Sequence, residues 1–174
     1  LALVGMGLQG LTTSMIFGMG AVFANIIGMT NQQGSIFLAS FTIANVVMQY
    51  PIGRMSDRFD RRLVILIVAS ISALAAAIAS IVGLSNYWVL LGLTALFGGC
   101  SMTIYSLCIA HANDYLSPSQ MVGTASALIT VNGIGAIFGP PIIAALMDLF
   151  GSYMFFSMLS AVHFGLGLFV LARM

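Results

Sequence analysis

The chain has 174 residues, 60% of them hydrophobic and 5% charged, with a formal net charge of +1. An ordinary soluble domain is about 25% charged, so this chain lacks the polar surface to cover an apolar core of its size in water, and a lipid-embedded fold is expected instead. It contains no Lys, and its few Arg form no basic stripe for nucleic acid to bind. Residues 1–53 carry no Asp, Glu, Lys or Arg, and neither do residues 63–113, 115–147 or 149–172. A membrane-crossing helix needs about 20 mostly apolar residues. The first two stretches each hold two such helices and a turn; the last two hold one each.

Turn chemistry sets the divisions in chain order. A first helix over 4–27 ends at "GMTNQQGS" (Gly28–Ser35), and a second runs over 34–53. A third, over 63–82, ends at "GLSNYW" (Gly83–Trp88), and a fourth covers 88–112. "NDYLSPSQ" (Asn113–Gln120) follows as a polar loop, because Pro118 cannot continue a helix. A fifth helix over 121–146 meets a break at "MDLFGSY" (Met147–Tyr153), and a sixth covers 152–172. The first helix lacks the basic flank of a signal peptide and is followed by further spans. The expected fold is all-α and polytopic, with residues 1–174 a single domain of six transmembrane helices and no soluble domain or low-complexity tail.

Six spans put both ends of the chain and the second and fourth loops on one side. Arg54, Arg58, Arg61, Arg62 and Arg173 all fall on that side, and the other holds only Asp148. The positive-inside rule makes the arginine side cytoplasmic. The expected location is therefore integral to a membrane and multi-pass, in the cytoplasmic (inner) membrane of a bacterium, with lipid as a partner.

The second loop holds six of the chain's charged residues: "GRMSDRFDRR" spans Gly53 to Arg62. Orientation needs only the arginines, yet Asp57 and Asp60 are here too. The segment resembles the signature loop of the major facilitator superfamily, in which a Gly leads to an Asp–Arg/Lys pair and then to two basic residues, between the second and third helices of a six-helix half. Gly53, Ser56, Asp57, Arg58, Arg61 and Arg62 match, and Arg54 lies within the run. Asp60 departs from the pattern, standing where the family usually has Gly, a residue that permits φ > 0. The resemblance implies a cytoplasmic gate, a charge cluster around Asp57 that holds one side closed in one state and opens in the other. The alternative is a solvated loop that only sets topology.

In the fifth helix, "NGIGAIFGPPIIAALMD" (Asn132–Asp148) looks like the family's glycine–proline motif. Gly135 and Gly139 share one face and let another helix approach closely, while Pro140 and Pro141 remove two backbone donors. A hinge and simple helix packing are both open. Family members have twelve helices in two halves. The start at Leu1, the six helices, the imperfect loop copy and the ending "LFVLARM" lead to the expectation that this is the second half of such a transporter, with the other six-helix half as its partner. A natural half-size protein acting as a homodimer is the alternative.

The resemblance also implies that the first and fourth helices of a half line the central cavity, the second and fifth rock, and the third and sixth face lipid. Gln9, Thr13, Ser101 and Tyr105, on the first and fourth spans, are the candidate substrate contacts; interhelical hydrogen bonding is the plainer role for each. Asn45, Gln49 and Asn132 lean toward structural roles, and His163 toward bonding a backbone or hydroxyl group. Asp114 and Asp148 are expected to be solvated at helix ends. No carboxylate or arginine lies deep in a span, which favours a neutral or hydrophobic solute over an anion and argues against an ion-coupling site here. Two His and two widely spaced Cys make no metal pattern. No nucleophile elbow, HExxH or phosphate-binding loop is present, so neither an enzyme nor a cofactor is expected. The function implied is secondary transport of a small solute by alternating access, against a channel-like or structural helix bundle.

Overall fold

The computed structural model describes residues 1–82 and 85–174. Gly83 and Leu84, in the turn expected at Gly83–Trp88, lie outside the described residues. Among the described residues, seven helical segments make six spans: α1 (Ala2–Ile26), α2 (Asn31–Ser56), α3 (Arg61–Ile81), α4 (Tyr87–Ser101) with α5 (Thr103–Asn113), α6 (Pro118–Phe150) and α7 (Met154–Leu171).

The polar clusters that divide the sequence are helix starts as well as turns. Gly28 turns the chain at φ +79°, and Thr30 then caps α2 in a reciprocal box with Gln33. Asn86 caps α4 by accepting from the amides of Trp88 and Val89. Pro118 does not sit in a loop. It is the first residue of α6, where its missing N–H costs nothing. For the same reason α6 starts three residues earlier than expected. It also ends later, at Phe150, because the break needs only Gly151 at φ +105°.

The fourth span is interrupted at Met102, which the sequence pattern does not anticipate. Gly98 and Gly99 precede the interruption, and the Thr103 hydroxyl donates to the Cys100 carbonyl at 2.6 Å, a pattern that bends helices. The same glycines bring α2 close. A Cβ on Gly98 would strike the backbone of Phe41, and one on Gly99 the side chain of Met48.

The helices pack chiefly in pairs: α1 along α6, α3 along α7, α2 along α4, with α3 also against α4. The core has two parts. Toward the α1–α2 turn it is aromatic: Phe23 stacks on Phe155 at 4.5 Å, Phe156 stands edge-on to both, Phe37 is tilted against Phe23, and Phe41 and Phe97 extend the cluster edge to face. Toward the arginine end it is built of smaller groups, among them Val64, Val68, Ala69, Cys100 and Cys108. The third and sixth spans are covered on about half their length, yet only 17% of the apolar stretch of α2, and of α6, is buried. The largest bare faces thus belong to the second and fifth spans, including Ile43, Val46 and Val47 on one and Ile134, Ile137 and Phe138 on the other.

The α1–α6 pair is the closest. A Cβ on Gly10 would overlap the Asn132 carbonyl, one on Gly135 the Gly7 carbonyl, and one on Gly139 the Ser14 hydroxyl and Leu11 carbonyl. Such backbone approach is how helices gain dispersion energy where lipid supplies no hydrophobic drive. Pro140 and Pro141 lie inside α6 without ending it. Gly10→Leu should overpack this seam at a cost of about 1–3 kcal/mol, read as a lower Tm in detergent. Gly123→Ala, whose Cβ would meet nothing within 4 Å, should leave Tm unchanged or slightly raised.

Candidate functional site

Two polar constellations stand out, one at the arginine end and one within the bundle. At the arginine end, α2 continues through Gly53, Arg54 and Ser56, so only Asp57–Asp60 form a true loop, and Arg61 and Arg62 open α3. Asp60 caps α3, its carboxylate accepting from the Arg62 amide at 2.7 Å. Its φ is −55°, so no glycine-like backbone is needed, and a capping carboxylate at a helix N-terminus is favoured by the dipole. That accounts for the departure at position 60. Asp57, in contrast, is the C-cap of α2, and its side chain is 70% exposed.

Arg61 is the hub. Its Nε donates to Oδ2 of Asp114 at 2.5 Å, its Nη1 to the Ser56 hydroxyl at 3.0 Å, and Asp57 stands 3.6 Å away. One guanidinium therefore joins the ends of α2 and α5 to the start of α3. Asp114 is not simply solvated, as its position at a helix end suggested; Arg61 holds it. Arg54 donates to the Tyr50 hydroxyl at 3.0 Å, and Arg58 is exposed. Arg62 reaches the Arg173 carbonyl at 2.9 Å and the Tyr115 hydroxyl at 3.2 Å, which brings the end of the last helix beside the second loop.

Within the bundle, Gln9, Thr13, Asn45, Gln49, Met102, Tyr105, Ser106 and Asn132 line a cleft of about 290 Å³. Its walls come from the first, second, fourth and fifth spans, and the third and sixth contribute nothing to it. Gln9 Nε2 donates to Thr13 Oγ1 at 3.4 Å, and Asn132 Nδ2 to the Met6 carbonyl at 3.1 Å. The Asn45 carbonyl oxygen is buried with no hydrogen-bond partner. A buried acceptor left unpaired costs about 1–3 kcal/mol, and a bound donor would recover that.

Three of the four candidate contacts meet in this cleft: Gln9, Thr13 and Tyr105. Ser101 does not. It is fully buried, its Oγ 2.8 Å from Nε2 of His163, whose Nδ1 lies 2.8 Å from the Leu159 carbonyl. A carbonyl only accepts, so in the neutral ring Nδ1 carries the hydrogen and Nε2 accepts from Ser101. The pair ties α4 to α7. Asn45, Gln49 and Asn132, by contrast, line the cleft. For two of them the signal was present in their spacing of four on one face.

In its fold, the bundle is similar to a solved structure of the POT family transporter PepTSo, with a TM-score of 0.82 at 15% identity, over 98% of this chain and 36% of that one. At the sequence level the chain belongs to the Major Facilitator Superfamily, whose family model matches residues 2–174. It is 25% identical over 157 residues to the uncharacterized MFS-type transporter YcaD of Escherichia fergusonii, and 28% identical over the same length to that of an Escherichia coli strain. Each match covers 90% of this chain and 40% of the relative, so the chain spans well under half the length of these relatives. Both are named as transporters and neither as an enzyme. With six spanning helices, the chain is an integral, multi-pass membrane protein of a transporter family.

The geometry ranks the two carboxylates near Arg61. Asp114→Asn should lower stability by about 0.5–1 kcal/mol, the range of a partly exposed ion pair, and Asp57→Asn by less than the error of a thermal melt. Equal shifts in Tm for the two variants would contradict this ranking.

Proposed function

We propose that the chain is the second six-helix half of a twelve-helix secondary carrier, which moves a small, neutral, hydrogen-bonding solute across a bacterial cytoplasmic membrane by alternating access. The observation that carries this reading is the cleft: apart from Met102 its lining is amide and hydroxyl side chains, with no charge. Amides offer donors and acceptors together, which suits a solute rich in hydroxyl or amide groups better than an anion or a purely apolar drug. Gln9, Thr13, Asn45 and Tyr105 are the contacts we assign.

The bare faces of α2 and α6 support a second bundle beside this one. So does Gly53, where a Cβ would meet nothing within 4 Å of this chain; a glycine with no neighbour of its own suits close approach by a helix of the other half. Closing that second bundle over the cleft would exclude water from the solute, and separating the two on one side at a time would give alternating access. The gate is the charge cluster at the arginine end, cytoplasmic by the positive-inside rule. Arg61 and Asp114 hold three helix ends of this half together. Asp57, exposed beside them, is left to engage the other half. Gly135 and Gly139 serve packing in this scheme.

Three measurements test the reading. In proteoliposomes, Asp57→Asn should insert normally but lose most transport; full uptake by this variant would remove the gate. A panel of polyols, sugars, amides and organic anions in a thermal-shift assay should stabilise the carrier only with neutral polar compounds, and Asn45→Ala should cost that ligand about 1–3 kcal/mol of binding. Selective stabilisation by an anion would overturn the substrate class. Single cysteines at 58 and 173 should label from the same face of the membrane.

A further inference from the structure

A groove of about 420 Å³ runs between α3 and α7 on the side away from the cleft. Leu66, Ser70, Ala73 and Ala77 form one wall, and Phe164 and Gly167 lie opposite. Of its polar side chains, Ser160 and His163 are already engaged, while Ser70 places a single hydroxyl in the wall. The Ser160 hydroxyl donates to the Ala73 carbonyl at 2.8 Å, and both ring nitrogens of His163 are used by Leu159 and Ser101. A single hydroxyl among otherwise apolar or already bonded groups leaves the groove suited to hydrocarbon. From Leu66 to Ala77 it extends roughly 17 Å along the helix, close to one leaflet of a hydrocarbon core about 30 Å thick.

One end of the groove is charged. Arg62 stands four residues before Leu66, on the same face of α3, and Arg173 stands two residues beyond Leu171 of the opposite wall. Arg62 is bonded only to neutral oxygens, the Arg173 carbonyl and the Tyr115 hydroxyl, and Arg173 lies over the Phe169 ring. Among the described residues, the ion pairs all belong to Arg61, so neither Arg62 nor Arg173 has a carboxylate partner. We propose that this is a phospholipid site: one acyl chain lies in the α3–α7 groove and an anionic headgroup phosphate rests on Arg62, with Arg173 adding positive charge nearby. The arginines sit at headgroup depth, where each basic residue attracts anionic lipid, and the small residues Ala73, Ala77 and Gly167 leave room for the chain.

The test uses the purified protein in phosphatidylcholine vesicles containing spin-labelled phosphatidylglycerol or, separately, spin-labelled phosphatidylcholine. The motionally restricted fraction should favour phosphatidylglycerol. Arg62→Gln should reduce the preference by up to about fivefold, and Arg173→Gln by less. Gly167→Leu, which fills the groove, should remove it with both arginines intact. Ala77→Leu serves the same purpose should the Gly167 variant fail to fold by circular dichroism. Equal restriction of the two lipids would overturn the site. So would displacement by inorganic phosphate, which would mark a free-anion site, or an unchanged preference in the filled-groove variants, which would mark surface attraction without a seated chain.

Discussion

Hydrocarbon as solvent is the constraint on which this structure depends. A charge in lipid is costly, and a polar group there must find a partner inside the protein. All nine formally charged side chains therefore lie near helix ends, and five of the six hydroxyls Ser14, Ser72, Ser80, Thr94, Ser106 and Ser160 bond a carbonyl of their own helix, with Ser160 reaching α3 instead. Once those are satisfied, the amides Gln9, Asn45, Gln49 and Asn132 remain as a group with capacity to spare. In a bundle so economical with polarity, their convergence on one cleft is what singles that cleft out.

The ends of the bundle follow from the same constraint. Water is available there, so charges can gather, and Arg61 uses it to join three helix ends through Asp114, Ser56 and Asp57. The pairing is modest in energy because it is partly solvated. Such a tie fixes the helix ends without the desolvation cost of a fully buried pair.

Much of the architecture was legible because lipid imposes a long apolar pattern that turn residues punctuate. Uncharged runs of about 20 residues located the spans, and the Thr30, Asn86 and Asp60 caps stand where polar clusters were read as turns. The errors have local physical causes. Pro118 reads as a breaker in sequence, although proline is favoured at the first position of a helix. The interruption at Met102 carries no distinct sequence signal, because Gly98–Gly99 reads equally well as a packing face. Which polar residues share the cleft was only partly legible. The spans of Gln9, Thr13 and Tyr105 suffice to group them, but Ser101 is turned toward His163 and Asn45 toward the cleft, and helix rotation of that kind is set by neighbours on other spans. The pairing of Arg61 with Asp114 joins residues 53 positions apart, which no local pattern reveals.

The glycine seam between α1 and α6 has a mechanical consequence. Gly10, Gly135 and Gly139 bring these two backbones together so closely that a methyl group would not fit between them. Two rods interlocked at three points cannot slide or rotate independently without losing every contact at once. Gln9, Thr13 and Asn132 consequently belong to a single rigid jaw, and a change in the width of the cleft within this bundle falls to the facing side, formed by α2 and the interrupted fourth span.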